Sequence, residues 1–482
     1  MSVTGVAWPG LQGGTLPKHG SGGTAKKAPG VRLNPPYLHG AFLALNAMSD
    51  AYFLGDGPDC IRAKGEQIHG RHDLFSTLMS CKGEHRIHYT GLSVFNIAQN
   101  LEKEIAAGLE RIAARPACGA VFMGSVPMCT IAGTDYERIV REVFAGAFKP
   151  AFVVPPQIGL AGDWLDGYSA VLEVMACGMD LEPAAPGPER VAVVGYMMGR
   201  NEGDHRGNIR ELERILRALD LEPVSTWLSG GNYESLRAVR RAGTIIAFGH
   251  GRKAAGILAE RLGVRLIEAE LPFGLAATKR FVEDLGLKFG KQAEADAFIR
   301  KELGEVVPAL EWVVPHAFLG RRFAYAGDPH YAAAFAEMIE DLGGEITGMI
   351  LMGGGRHLTE VSRASLSARP RAVFEPMQNA VERDWLGLSR REVDVLVATT
   401  MAVEFIRPRT SWLEFGYPSD YTHFLKDEPF LGFRGALGFY SRLANEVTRG
   451  FCMDWMTPEE MQSQSKAVSE NLLSDGTCRR PE

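Results

Sequence analysis

Two cysteines stand where metal or redox chemistry would need them. Cys60 ends Asp56-Gly57-Pro58-Asp59-Cys60, directly behind the apolar run 51–54, and Cys129 ends Gly124-Ser125-Val126-Pro127-Met128-Cys129, directly behind the run 119–123. Each run has strand length, and each thiol follows a proline turn. A single thiol in such a place is more often a small buried hydrophobe than a ligand. Two thiols at the carboxyl ends of strands in one sheet, however, share one crevice, and thiolates are the ligands that iron-sulfur clusters prefer.

The other cysteines are Cys81, Cys118, Cys177, Cys452 and Cys478. Seven is an odd and widely scattered set, unlike the dense even set of a secreted disulfide scaffold, so a reducing compartment is expected. Cys177 falls in the helical stripe Ala170, Leu172, Val174, Met175 and reads as packed, while Cys452 and Cys478 lie in the tail. His85-Arg86-Ile87-His88, with His69, His72 and Cys81, could be drawn as a zinc site, yet the spacings match no closed structural set.

To present the two thiols, the chain needs strands with loops at one end. Short apolar runs at 118–123, 150–154, 190–195, 244–248, 322–326 and 393–398 alternate with helical patterns and read as buried parallel strands. Between them, Ile209, Leu212, Ile215, Leu216 and Leu219 form one helix face, and Tyr331, Phe335, Met338, Ile339 and Leu342 form another that stops at Gly343-Gly344. Strand, turn, amphipathic helix, glycine and strand is the pattern of doubly wound sheets. It occurs three times, which predicts an α/β protein of three Rossmann-like parallel-sheet domains around a central crevice. The expected boundaries are a mobile Gly- and Pro-rich arm over 1–32, domains over 33–185, 186–318 and 319–450, and a tail over 451–482. The proline-rich stretch 182–189 marks the first domain boundary.

Three glycine loops follow strands: Gly195-Tyr-Met-Met-Gly199, Gly249-His250-Gly251 and Gly353-Gly-Gly355. None fits the dinucleotide or P-loop spacing, so they read as tight strand-to-helix turns. No nucleotide hydrolysis is expected of this chain. Its 482 residues exceed what one core organises, in keeping with several domains. A balance of 52 basic and 58 acidic side chains gives a net charge of -6, which excludes nucleic acid and anionic membrane as natural partners. No apolar run reaches membrane-spanning length and no leader pattern is visible, so a cytoplasmic protein is expected.

At these cysteines the chain resembles the large subunits of nitrogenase and its relatives, which include the protochlorophyllide and chlorophyllide reductases and methylthio-alkane reductase. The family presents C-x-P-x-G-A, H-G-P-x-G-C and S-T-C-x-x-x-x-G-D-D; this sequence offers Pro35-Pro-Tyr-Leu-His-Gly40-Ala41, Asp56-Gly-Pro-Asp-Cys60 and Val126-Pro-Met-Cys129-Thr-Ile-Ala-Gly133-Thr-Asp135. Gly162-Asp-Trp-Leu-Asp-Gly-Tyr168, Leu271-Pro-Phe-Gly274, Phe323-Ala-Tyr-Ala-Gly327-Asp-Pro329 and Phe415-Gly-Tyr-Pro-Ser419 with Phe430-Leu-Gly-Phe-Arg-Gly435 are similar to later family segments, in the family's order. The first family cysteine is missing. Cys81 either replaces it or is a core thiol, and Asp56 or Asp59 could supply an oxygen ligand instead. The middle-domain segment Ile245-Ile-Ala-Phe-Gly-His250 holds no cysteine, which argues against a nitrogenase-type catalytic cofactor bound by this chain. His250 and His423 are pocket candidates, His423 falling near a histidine of the family.

The resemblance implies one subunit of an α2β2-type reductase, paired with a homologous large subunit. An iron-sulfur cluster, of 4Fe-4S or P-cluster type, would be held by Cys60 and Cys129, with Cys81 as a further candidate, and shared with that partner. A separate iron-sulfur reductase protein would hydrolyse ATP and deliver electrons. Among substrates, reductive C–S cleavage of methylthio-alkanes stands first, chlorophyllide-type reduction second and dinitrogen third. A non-catalytic scaffold for cluster assembly is the alternative from another class, and a nucleotide-sugar glycosyltransferase is the reading that keeps only the fold.

Overall fold

The computed structural model describes residues 31–79, 84–92, 101–146, 149–156, 162–182 and 187–455. Cys81, Cys478, most of the expected arm and most of the expected tail lie outside them. Three all-parallel sheets carry the fold. The first contains β1 (Ala51–Asp56), β2 (Ile87–Tyr89), β3 (Ala120–Ser125) and β4 (Ala151–Val153) in the order β2-β1-β3-β4. The second contains β5 (Gly187–Val194), β6 (Glu222–Thr226), β7 (Ala242–Ala247) and β8 (Arg265–Glu268) in the order β6-β5-β7-β8. The third contains β9 (Arg322–Gly327), β10 (Glu345–Leu351), β11 (Ala372–Phe374), β12 (Val395–Ala398) and β13 (Ser411–Glu414) in the order β11-β10-β9-β12-β13.

Each order runs outward in both directions from its first strand. The order in which strands are added across the sheet therefore reverses between β1 and β3, between β5 and β7, and between β9 and β12, and each reversal leaves a crevice at the carboxyl ends of those two strands. The central strands are apolar because helices cover both faces: all six residues of β1 and of β3 are buried. The helix read from the stripe at 209–219 spans Gly203–Ala218, and Asp220 in the left-handed region closes it. The helix Pro329–Glu340 starts where Asp328 accepts a hydrogen bond from the His330 amide and stops before Gly343, at φ +77°.

Two glycines fix how the helices of the first sheet cross. A Cβ on Gly40, in the helix Tyr37–Asn46, would lie 1.6 Å from the Trp164 carbonyl oxygen, and one on Gly167, in the helix Trp164–Gly178, 1.9 Å from that of Tyr37. The contact is backbone to backbone and reciprocal, so no side chain can yield. Gly40→Ala is expected to lower stability by about 3 kcal/mol or more, read from the urea midpoint; a loss under about 1 kcal/mol would show that the crossing can widen.

Several segments tie the sheets together. Residues 31–33 pair with 376–378 of the third, and the Trp164 indole donates to the Met352 carbonyl at 2.7 Å. The final helix, Gly432–Trp455, packs on β13 and back onto Gly203–Ala218. Where all three units meet, His72, Trp164, Arg200, Asp204, Tyr331 and Glu414 line a cavity of about 20 Å3, room for about one water. Among the described residues no helix is long and apolar enough to cross a membrane.

Candidate functional site

Asp56 at the end of β1 stands in register with Ser125 at the end of β3. Cys60 lies four residues beyond the first and Cys129 four beyond the second, so the two thiols occupy equivalent places on the loops flanking the first crevice. Cys60 is exposed at the start of the helix Cys60–Ile68. Cys129 is fully buried in the turn Pro127–Ala132. Both are free thiols, as are Cys118 and Cys177. Gly57, at φ +154°, makes the entry to the Cys60 loop possible, since a Cβ there would press on Val126 and Ile61.

Asp56 holds this crevice together rather than offering a ligand. Thr90 Oγ1 donates to its Oδ1 and Tyr136 Oη to its Oδ2, each at 2.6 Å, and the Cys129 thiol donates to its main-chain oxygen at 3.2 Å. With both carboxylate oxygens engaged and the side chain buried, the oxygen-ligand alternative at Asp56 gives way to a bracing role; Asp59 remains exposed beside Cys60. Burial, then the Asp56 carboxylate and then Cys60, push the Cys129 thiol up to about 12. In the single chain at neutral pH, Cys129 therefore carries its proton. A metal taking this sulfur must displace that proton.

The structure does not bring His250 and His423 together. His250, on the loop after β7, is fully buried, and its Nε2 donates to Asp328 Oδ2 at 2.6 Å. His423 Nδ1 donates to Glu202 Oε1 at 2.8 Å. Neither lines the small cavity at the junction of the sheets. Nor do the histidines at 69, 72, 85 and 88 form a zinc set: His72 is buried between the Gly199 carbonyl and the Ser419 amide, while His69 meets the Ser76 carbonyl and His88 stacks on Tyr52.

Of two clusters of acid and imidazole, sequence reasoning named only His250 as a candidate. Asp163 caps the helix Trp164–Gly178, accepts from the Gly354 amide at 3.0 Å, and meets Arg356 at 2.9 Å and His357 at 3.0 Å. Arg356 also bridges to Asp166 and Glu375. These contacts latch the first unit to the third, and the guanidinium at their centre opposes a cation there. The other cluster joins His330 to the His250–Asp328 pair, with the two imidazole rings 4.1 Å apart. The only signals had been a glycine loop and an Asp-Pro helix start. A large cleft of about 1230 Å3 is bordered by Tyr37, Phe152, Cys177, Gly249, Arg356 and His357 and includes neither Cys60 nor Cys129.

The family model described as nitrogenase component 1 type oxidoreductase matches residues 37–448. The chain is 23% identical over 274 residues to the nitrogenase molybdenum-iron protein beta chain of Bradyrhizobium diazoefficiens, covering 52% of each protein. It is 23% identical over 385 residues to the beta chain of Sinorhizobium fredii, covering 73% of this chain and 71% of that one. A third beta chain, from Acidithiobacillus ferridurans, is 21% identical over half of each protein. The chain thus spans about half the length of two of these curated relatives. Among solved structures, one titled nitrogenase Cp1 at pH 6.5 superposes with a TM-score of 0.70 at 15% identity, covering 92% of this chain and 98% of that one.

Proposed function

The chain belongs to the nitrogenase component 1 type oxidoreductases, and from that premise we propose that it is the partner-type large subunit of a nitrogenase-like reductase, holding an iron-sulfur cluster at the crevice between β1 and β3 jointly with a homologous subunit. The observation that carries this reading is the matched placement of Cys60 and Cys129 beyond register partners of adjacent parallel strands. Thiolates fit an iron-sulfur group, which when bound supplies one-electron transfer. Cys60 and Cys129 are the residues that would hold it. Two sulfurs are too few for a cluster, and exposure of Cys60 leaves room for a second polypeptide to complete the set.

The residues around the thiols have separate tasks. Asp56, clamped by Thr90 and Tyr136, keeps the two loops at fixed spacing, while Ile61 and Val126 pack against Gly57 at the entry to the Cys60 loop. Cys129 Sγ gives up its proton on ligation, and the Asp56 carbonyl loses the hydrogen bond it accepts. The partner-type assignment is supported by the middle unit. On its loop after β7 stands His250 rather than a cysteine, with its side chain sealed against Asp328. With no thiol on that loop to hold a large catalytic cofactor, substrate chemistry would fall to the homologous subunit. A separate iron-sulfur reductase would hydrolyse ATP for the complex. We favour small methylthio-alkanes as substrate, the C–S bond being cleaved with two electrons and two protons to a hydrocarbon and a thiol.

The test is anaerobic purification of the complex with iron and sulfide analysis. Cys60→Ala and Cys129→Ala are expected to lose most of the iron held at this crevice, with reductase turnover falling in step. Unchanged iron in both variants would refute the assignment. Cluster transfer to an acceptor protein without ATP-dependent product would instead favour the assembly-scaffold reading.

A further inference from the structure

The crevices of the second and third sheets face one another, and what meets there is a set of metal-ligand side chains that the cluster reading does not use. His250 follows β7 and Asp328-Pro329-His330 follows β9, each strand flanking the reversal point of its sheet. One ligand atom from each of His250, Asp328 and His330 can be chosen so that all lie within 4.8 Å of one another. The side chains of His250 and Asp328 are 0% and 2% exposed. His250 Nδ1 is buried without a partner.

We propose that His250, Asp328 and His330 form a binding site for one divalent first-row transition ion of the zinc or ferrous class, clasping the second sheet to the third. Two imidazoles with one carboxylate are a donor set for such ions. An aspartate that only oriented a histidine would need one ring, and here a second ring is held 4.1 Å from the first. Its position is built in. The His330 amide donates to Asp328 Oδ1 at 2.9 Å, and a Cβ at residue 249 would come within 2.5 Å of His330 Nδ1, so only glycine admits the imidazole. A buried carboxylate is costly unless fully compensated, and a dication between the three groups does this with bonds of about 2.0–2.2 Å. Gly249 borders the large cleft and His330 is only half-buried, which gives an ion a way in. Tyr168 and Tyr331 pack about the His250 ring and keep bulk water off it.

The site is independent of the cysteine cluster, and the test separates the two. Full-length chain carrying Cys60→Ala and Cys129→Ala, and wild type beside it, are stripped with chelator and titrated anaerobically with Co2+. The expected result is one Co2+ per chain with visible d–d absorption, no sulfur charge-transfer band in the double variant, and a higher melting temperature. Adding His330→Ala or Asp328→Asn should weaken binding by about tenfold or more and abolish the melting shift, with the circular dichroism unchanged. Asparagine still caps the helix, so a merely structural Asp328 would leave Co2+ binding intact. Absence of stoichiometric Co2+ from both proteins, or binding indifferent to His330→Ala, would overturn the proposal.

Discussion

Acidification from pH 8 to pH 5 is expected to remove about 4 kcal/mol of folding stability or more, before the carboxylates that usually govern acid unfolding begin to titrate. The cause is histidines sealed in neutral form, His39, His205 and His72 among them. Burial is the largest influence on each. Burial, then Lys64, lowers His39 to about 3, and its two ring nitrogens have no partner. His205 is lowered by burial to about 4, with Asp204 opposing and Arg200 reinforcing the shift, and its Nδ1 accepts from Tyr196 Oη at 2.7 Å and from the Gly199 amide. His72 is pushed well below its ordinary value by burial, Arg200 and His205; its Nδ1 accepts from the Ser419 amide, so a proton there would break the bond.

The sign follows from which state binds the proton. The unfolded chain takes up protons near pH 6.5, whereas in the folded chain His205 does so only near 4, His39 near 3 and His72 well below its ordinary value, so stability is full above 6.5 and falls as pH drops through that value. At pH 5 His39 and His205 have each lost about 2 kcal/mol, about 4 kcal/mol together, with His72 adding in the same direction, against a usual total of about 5–15 kcal/mol. Asp420, raised to about 6 by burial and then by Glu414, works in the opposite direction in the same window. Asp204, held down to about 2 against the penalty of burial by His205 and Arg200, keeps its contribution throughout and loses it only as pH falls below the usual carboxylate range. Urea unfolding at pH 8, 7, 6 and 5 measures the slope. A midpoint that stayed level from pH 7 to pH 5 would mean that these imidazoles reach water or protonate in place.

The same buried centre explains what the sequence could and could not reveal. Strands covered on both faces announce themselves as apolar runs, and 244–248 and 393–398 fall on β7 and β12. The short outer strands do not: β2 is three residues with one buried, and β11 has none fully buried, so neither pattern rises above its surroundings. The placing of Cys60 and Cys129 was legible because each depends only on a strand and the loop after it. The clusters depend instead on partners distant in sequence, 78 residues apart for His250 and Asp328 and 194 for Asp163 and His357. No local spacing encodes such pairs; the crossing of the sheets does. His423 illustrates the limit, since its position drew attention while its partner Glu202, 221 residues away, did not.

Glu202→Ala is expected to cost about 3–5 kcal/mol, a large effect for one surface-distant carboxylate. Its side chain is 0% exposed and gathers three parts of the chain. Oε1 accepts from the Leu74 amide of the first unit at 3.0 Å and from His423 Nδ1 at 2.8 Å; Oε2 accepts from the Phe424 amide at 2.8 Å; and Arg200 lies 3.7 Å away. Alanine would strand two main-chain donors and an imidazole in a site sealed from bulk solvent, each costing about 1–3 kcal/mol, and leave Arg200 with Asp204 as its remaining carboxylate at short range. Glutamine, retaining one oxygen acceptor, should cost less than alanine. Because His423 serves this bracket, His423→Ala should also lower the urea midpoint while leaving the iron content of the complex unchanged. Iron loss in His423→Ala at undiminished stability would instead make that imidazole a ligand. A Glu202→Ala protein within about 1 kcal/mol of wild type would show that water enters the junction and that the three units are held by their apolar contacts alone.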